Sequence, residues 1–143
     1  MIFSNNLDDK GRLMLPAKLR SEIKGNTLVI TQSIDRCLWV FTADRWAEVV
    51  KRITEASSML QSKKRIMMRR ILAPAQEVEI DKTGRINIAP TLREYAGLSK
   101  ECLIYEMNTV IEIWDKKVLE KFEEEEQAVI KEASEDLGQF VLI

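Results

Sequence analysis

Histidine is absent from this 143-residue chain, and that one gap excludes more chemistry than any residue present. Catalytic triads, zinc hydrolases and most proton shuttles near neutral pH depend on imidazole, so an enzyme is not expected. Cysteine is nearly absent as well. Cys37 and Cys102 stand far apart, outside any C-x-x-C spacing, and read as small buried hydrophobes in a reducing compartment. Neither suggests a metal, and no cofactor or small-molecule substrate is expected. No run approaches the roughly 20 apolar residues of a membrane helix. The opening MIFSNNLDD lacks the basic start and apolar middle of a secretion signal, so a cytoplasmic protein away from any membrane is expected.

What is present is ordinary globular composition, 45% apolar and 31% charged, in a chain long enough for one real core. The net charge of -1 conceals a polarity. Residues 1–72 hold 14 Lys+Arg against 7 Asp+Glu, whereas residues 73–143 hold 8 against 16. A basic half beside an acidic half suits an anionic partner on one side, and it suits head-to-tail self-association equally well.

The chain also repeats itself. The segment Asp8 to Arg20, DDKGRLMLPAKLR, recurs as Asp81 to Arg93, DKTGRINIAPTLR. Asp8 and Asp81, Gly11 and Gly84, Arg12 and Arg85, and Arg20 and Arg93 are each 73 residues apart, and only the proline slips by one, from Pro16 to Pro90. The likeness runs on through Gly25 and Gly97 to the β-type runs that follow.

Each copy has a consistent local reading. Asp-x-x-Gly-Arg is a turn, with glycine supplying a positive φ and aspartate bonding back to nearby amides. A short strand follows, then a helix opened by proline and stopped by Gly25 or Gly97. Two further strands are expected at 27–32 and 37–41 in the first copy, and at 102–107 and 110–114 in the second. Neither unit covers both faces of so small a sheet. The two should therefore interleave about a pseudo-twofold axis into a closed barrel without exposed edges.

Helical spacing predicts flanking helices through Trp46, Val49, Val50, Ile53 and Leu60, through Gln61–Leu72, and from Val118 to Leu137. The predicted organisation is a single domain over 1–143: repeat one at 1–56, a helical linker at 57–74, repeat two at 75–125, and an acidic C-terminal helix at 116–137. That acidic helix is expected to face outward and to keep DNA from the wrong side.

Two Asp-x-x-Gly-Arg turns, each leading through a strand to a proline-started helix ending in Leu-Arg, resemble the MraZ family, and so does Ile111-Glu112-Ile113-Trp114 late in the second copy. The likeness covers essentially the whole chain. It implies a mainly β, α+β fold: a swapped-hairpin, double-psi-like barrel related to AbrB-type regulators, assembled into homo-oligomeric rings. It implies a transcriptional regulator, commonly a repressor, that binds short direct repeats of double-stranded DNA in the promoter of the division and cell-wall gene cluster, at the nucleoid.

The DNA-binding candidates are Lys10, Arg12, Lys18 and Arg20 in the first copy, with Lys82, Thr83, Arg85 and Arg93 in the second. Arginine suits the task because its planar fork bonds bidentately to a phosphate or a guanine edge. Asp8, Gly11, Pro16, Asp81, Gly84 and Pro90 are expected to shape the motif. Alternatives stay open at this level. Arg12 and Arg85 can instead staple their turns through Asp8 and Asp81, Arg20 and Arg93 can cap helix C-termini, and the linker's Lys63, Lys64, Arg65, Arg69 and Arg70 can form a solvated face. A non-catalytic scaffold ring is a rival function. A more distant one is a hydrolase in which Asp8 and Asp81 share a proton.

Overall fold

The structure is a computed structural model and describes residues 1–57 and 61–141. Leu60, an expected member of the first helical stripe, lies outside the described residues.

The first repeat runs β1 (Ile2–Asn6), β2 (Arg12–Met14), α1 (Ala17–Glu22), β3 (Thr27–Gln32), β4 (Leu38–Thr42) and α2 (Ala43–Thr54). A linker helix, α3 (Gln61–Met67), passes into a π-helical turn at Met68–Leu72. The second repeat then repeats the order: β5 (Gln76–Glu79), β6 (Arg85–Asn87), α4 (Pro90–Ala96), β7 (Glu101–Glu106), β8 (Ile111–Asp115) and α5 (Lys116–Val141).

The strands interleave. Six antiparallel strands form one sheet in the order β1-β7-β8-β4-β3-β5. The first strand of each repeat has crossed to the other: β1 pairs with β7, placing Ser4 opposite Leu103, and β5 pairs with β3, placing Val78 opposite Leu28. The central pair, β4 with β8, sets Trp39 opposite Glu112. Exchanging the repeats turns the strand order into its own reverse, so the axis of pseudosymmetry passes between β4 and β8.

The remaining strands, β2 and β6, pair with each other as a separate two-stranded ribbon with Leu13 opposite Ile86. The sheet therefore does not close into the expected barrel. Each ribbon strand is three residues long, trapped between a tight turn and a proline-started helix, so its ladder cannot extend to the sheet edges at β1 and β5. An isolated bridge to Leu13 from Leu7, the residue after β1, joins the first strand's end to the ribbon. Closure is made by side chains. Leu13, Leu15, Ile86 and Ile88 are fully buried between ribbon and sheet, against Ile30 and Ile104.

Several element ends depart from expectation for visible reasons. Pro90 opens α4 as its first residue, whereas Pro16 sits one position earlier, as the N-cap of α1. Gly97 ends α4, but α1 has already ended at Ile23, which leaves the helix to pack against the core before Gly25 is reached. The expected single helix 61–72 divides at Met67. In the wider π turn the Ala73 N–H reaches the Met68 carbonyl at 2.9 Å, and Ile71 turns fully into the core. There the Ile71 carbonyl accepts a hydrogen bond from Thr31 Oγ1 at 2.5 Å.

Helix α5 begins on Asp115, which is almost fully buried. Its Oδ2 accepts from the Val118 N–H at 3.2 Å, while Oδ1 takes both the N–H and the hydroxyl of Ser99, at 2.9 and 2.7 Å. Leu119 is buried, and Phe122 stacks on Trp114 with ring centroids 5.1 Å apart. Past Phe122 residues 123–137 are exposed, with Glu123 still accepting from the Tyr105 hydroxyl at 3.4 Å.

Candidate nucleic-acid interface

The ribbon alternates by strand geometry: Leu13 and Ile86 point inward, so Arg12, Met14, Arg85 and Asn87 point outward. Arg12 lies opposite Asn87 and Arg85 opposite Met14, which makes the two arginines a diagonal pair roughly 7–8 Å apart on one outer face. The two turns, 73 residues apart in sequence, thus meet at one place.

Both turns are built alike. In the first, Asp8 Oδ1 accepts from the Lys10 and Arg12 amides at 2.9 and 2.8 Å, and the Gly11 N–H closes on the Asp8 carbonyl at 3.1 Å. In the second, Asp81 Oδ1 accepts from the Thr83 and Arg85 amides at 2.8 and 3.0 Å and from the Thr83 hydroxyl at 2.7 Å. Gly11 and Gly84 take φ values of +79° and +89°, which only glycine adopts freely.

These bonds set the carboxylate chemistry. Backbone donation from Arg12 is the leading cause that holds the Asp8 carboxyl below its ordinary value, aided by the Arg12 side chain and the Lys10 amide. The Thr83 hydroxyl and the Arg85 amide bring Asp81 down to about 2, with a smaller contribution from the Arg12 charge across the ribbon. Two carboxylates both favoured in the ionised form share no proton near neutral pH, which removes the basis for a carboxylate-dyad hydrolase.

A second layer crosses between the repeats. Arg93 of the second copy lies over Gly11 of the first, so close that a Cβ there would sit 2.7 Å from Arg93 Cζ. Arg20 lies over Gly84 in the same way, at 2.6 Å. Each of these arginines donates from Nε to the carbonyl five residues before it, Leu15 for Arg20 at 3.1 Å and Ile88 for Arg93 at 2.9 Å. Neither caps its helix C-terminus by these bonds. The carbonyls of the buried glycines are used too: Gly84 accepts from the Leu15 N–H and Gly11 from the Ile88 N–H, each at 2.9 Å.

The arginines are held, but not consumed. Arg12 donates Nε to Asp8 Oδ2 at 2.8 Å, and its side chain remains 41% exposed. Arg85 uses one Nη, on the Thr83 hydroxyl at 2.9 Å. Among the described residues, the Nη ends of Arg12, Arg20 and Arg93 have no hydrogen-bond partner. The staple and an open outward edge therefore coexist on one side chain, and a guanidinium anchored at Nε would forfeit little further rotamer freedom on meeting an anion.

A family profile described as "MraZ protein, putative antitoxin-like" matches this chain twice, over residues 3–69 and 71–140. The chain belongs to the MraZ family. Among its MraZ relatives, the "Transcriptional regulator MraZ" of Treponema denticola is 45% identical over 137 residues, 96% of this chain and 95% of that protein. The protein of the same description from Treponema pallidum (strain Nichols) is 42% identical over 140 residues, covering 98% of this chain and 94% of that one.

Of the residues singled out in the MraZ-type motif, the structure gathers Arg12, Arg20, Arg85 and Arg93 around the two glycines, with Lys10, Lys82 and Thr83 exposed on the turn tips. Lys18 is placed elsewhere. Its Nζ contacts Met1, at the opposite end of β1 from the Asp8 turn. Arg70, one of five basic linker residues, is exposed but anchored: Nε and an Nη donate to the Ser33 and Ile34 carbonyls, both at 3.2 Å, and the guanidinium lies 4.9 Å above the Tyr95 ring. Sequence reasoning missed the crossing of Arg20 and Arg93 onto each other's glycine. The equal spacing of both pairs was the available signal, but only the strand exchange tells which glycine meets which arginine.

Proposed function

We propose that this protein is a sequence-specific DNA-binding transcriptional regulator, acting as a repressor on direct repeats in the promoter of the division and cell-wall gene cluster, in the cytoplasm at the nucleoid. The observation that carries the reading is the two-stranded ribbon with Arg12 and Arg85 on one outer face and Arg20 and Arg93 beside them. The B-DNA major groove is about 12 Å wide and admits such a ribbon, where arginine forks meet guanine edges and flanking phosphates. The description of the relatives as transcriptional regulators supports the same reading.

In this account Arg12 and Arg85 read or clamp the groove, Arg20 and Arg93 flank them, and Lys10, Lys82 and Thr83 on the turn tips meet phosphates. Lys18 contributes only long-range attraction. The whole chain 1–143 acts as one domain, since each repeat supplies half of the ribbon and half of the arginine layer. A few basic contacts per subunit give only about 10⁻⁴–10⁻⁶ M non-specific affinity at physiological salt. Useful binding therefore comes from a homo-oligomeric ring that engages successive repeats together, which raises local concentration without new contacts.

The test is gel-shift titration with DNA from upstream of the protein's own gene and with a scrambled duplex, each at two salt concentrations. The expected result is preference for the upstream DNA at both, with affinity falling steeply as salt rises. Equal, weak binding to both duplexes would favour a scaffold ring instead.

A further inference from the structure

The outer face of the ribbon is symmetric in its arginines and asymmetric in what stands beside them. Arg12 and Met14 on β2 correspond to Arg85 and Asn87 on β6, each 73 residues further on. In the register of the ribbon Arg12 lies opposite Asn87 and Met14 opposite Arg85, so the face consists of two couples, arginine with asparagine and arginine with methionine. Exchanging the repeats carries one couple onto the other. The pseudo-twofold therefore matches the arginines on this face and breaks at their partners. The turn tips differ as well, Asp9-Lys10 against Lys82-Thr83, but contacts from there to phosphates carry no sequence information.

Asn87 is exposed at the end of its strand, and its carboxamide has no hydrogen-bond partner among the described residues. Asparagine is also a poor strand former, so nothing in the stability of the ribbon favours it there. The arginine opposite is drawn toward its own turn, since Arg12 gives Nε to Asp8. Opposed side chains on such a ribbon begin about 5 Å apart and stacked bases about 3.4 Å apart, so Arg12 and Asn87 face base pairs about one or two steps apart. A carboxamide holds a donor and an acceptor side by side, the complement of adenine N7 and N6 in the major groove. Met14 has no donor to offer, and it is partly buried, with its carbonyl accepting from Asn5 Nδ2 at 2.7 Å.

We propose that Asn87 is a specificity-determining residue: it reads an adenine close to the guanine taken by Arg12, while the equivalent Met14 leaves the Arg85 end of the site without such a reader. A site read in this way has a direction, which two equivalent arginines alone would not give it. Arg12 sets the register, so Asn87 discriminates only when that fork is seated. The inference rests on the DNA-binding reading above and deepens it by assigning one base to one side chain.

The experiment uses the full chain and an upstream duplex whose base pairs are changed one at a time, with each adenine also replaced by 7-deazaadenine, which pairs normally but lacks the N7 acceptor. Binding is read by fluorescence anisotropy for the unsubstituted protein, Arg12→Ala, Asn87→Ala and Asn87→Asp. Each variant is compared with itself across the panel, so a uniform change in affinity cancels. Thermal melting of Asn87→Ala should match the unsubstituted protein, since the side chain is exposed and makes no hydrogen bond within the described residues. The unsubstituted protein should show one adenine, close to a guanine whose cost Arg12→Ala removes, at which changing the base pair weakens binding about 5- to 150-fold, and 7-deazaadenine should weaken it there too. Asn87→Ala should flatten that position to less than about twofold while the guanine keeps its cost. Asn87→Asp should move the preference there from adenine to cytosine, because a carboxylate only accepts and cytosine N4 donates. The proposal is overturned if Asn87→Ala flattens no position, or flattens one that 7-deazaadenine leaves undisturbed. In either case a guanine still flattened by Arg12→Ala leaves the DNA reading standing. Equal binding of the unsubstituted protein to upstream and scrambled DNA overturns both.

Discussion

Arg12 and Arg85 occupy equivalent positions and are held differently. Arg12 gives Nε to its aspartate, and Arg85 spends an Nη on the neighbouring threonine, because Thr83 stands where the first copy has Lys10. Each turn carries one lysine, Lys10 and Lys82, so the difference lies in the fork: both Nη groups of Arg12 stay open to an anion, whereas Arg85 has one engaged. Arg12→Ala should therefore weaken binding to upstream DNA by more than Arg85→Ala, with Lys131→Ala on the distal helix neutral, as read by fluorescence anisotropy. The motif residues were legible from the sequence, since an aspartate that bonds back and a glycine with positive φ are local chemistry. That the arginine over Gly84 is Arg20 was not legible, because the contact is between residues 64 apart on different repeats. Gly84→Ala should cost about 1–2 kcal/mol from the left-handed backbone, plus displacement of Arg20, measured by urea unfolding. The aspartates add a pH dependence of definite sign. Their carboxyls sit below the ordinary value when folded, so their contribution is fully present above pH 3.8 and is lost as the pH falls through the folded value, about 2 for Asp81. Asp81→Asn should flatten the fall of melting temperature between pH 4 and 2.

Elements of the repeat were read well where periodicity is strong. The β3 strand was expected at 27–32 and is found at Thr27–Gln32, and α2 starts on Thr42, whose hydroxyl accepts from the Arg45 N–H at 3.3 Å. The linker was misread because helical spacing cannot distinguish an α turn from a π turn. Burying Ile71 and seating Arg70 on Tyr95 are tertiary demands that the local pattern does not contain. The barrel was misread for a related reason: interleaved repeats predict that edges are covered, but three-residue strands cover them with side chains rather than with hydrogen bonds. The ribbon consequently depends on Leu13 and Ile86, which face each other at its centre with no exposed surface. Truncating either to alanine should cost about 2–5 kcal/mol, and the two costs should be similar, as measured by chemical denaturation.

For the whole molecule, the sequence polarity becomes a spatial one. The basic ribbon is assembled from both repeats, the basic linker lines a groove, and the acid is concentrated on the exposed stretch 123–137 of α5. The duplication made the ribbon legible as a single surface, whereas nothing local in the sequence located the groove, which exists only because the linker folds back beside β3. The account depends on the paired arginines forming one face for DNA. The measurement that tests it most directly is the slope of log affinity for upstream DNA against log salt concentration, for the unsubstituted protein and for Arg12→Ala combined with Arg85→Ala. Each lost phosphate contact should lower the magnitude of that slope by about 0.9, and the double variant should lose its preference over scrambled DNA. A double variant that folds normally yet keeps both the slope and the preference would contradict the account.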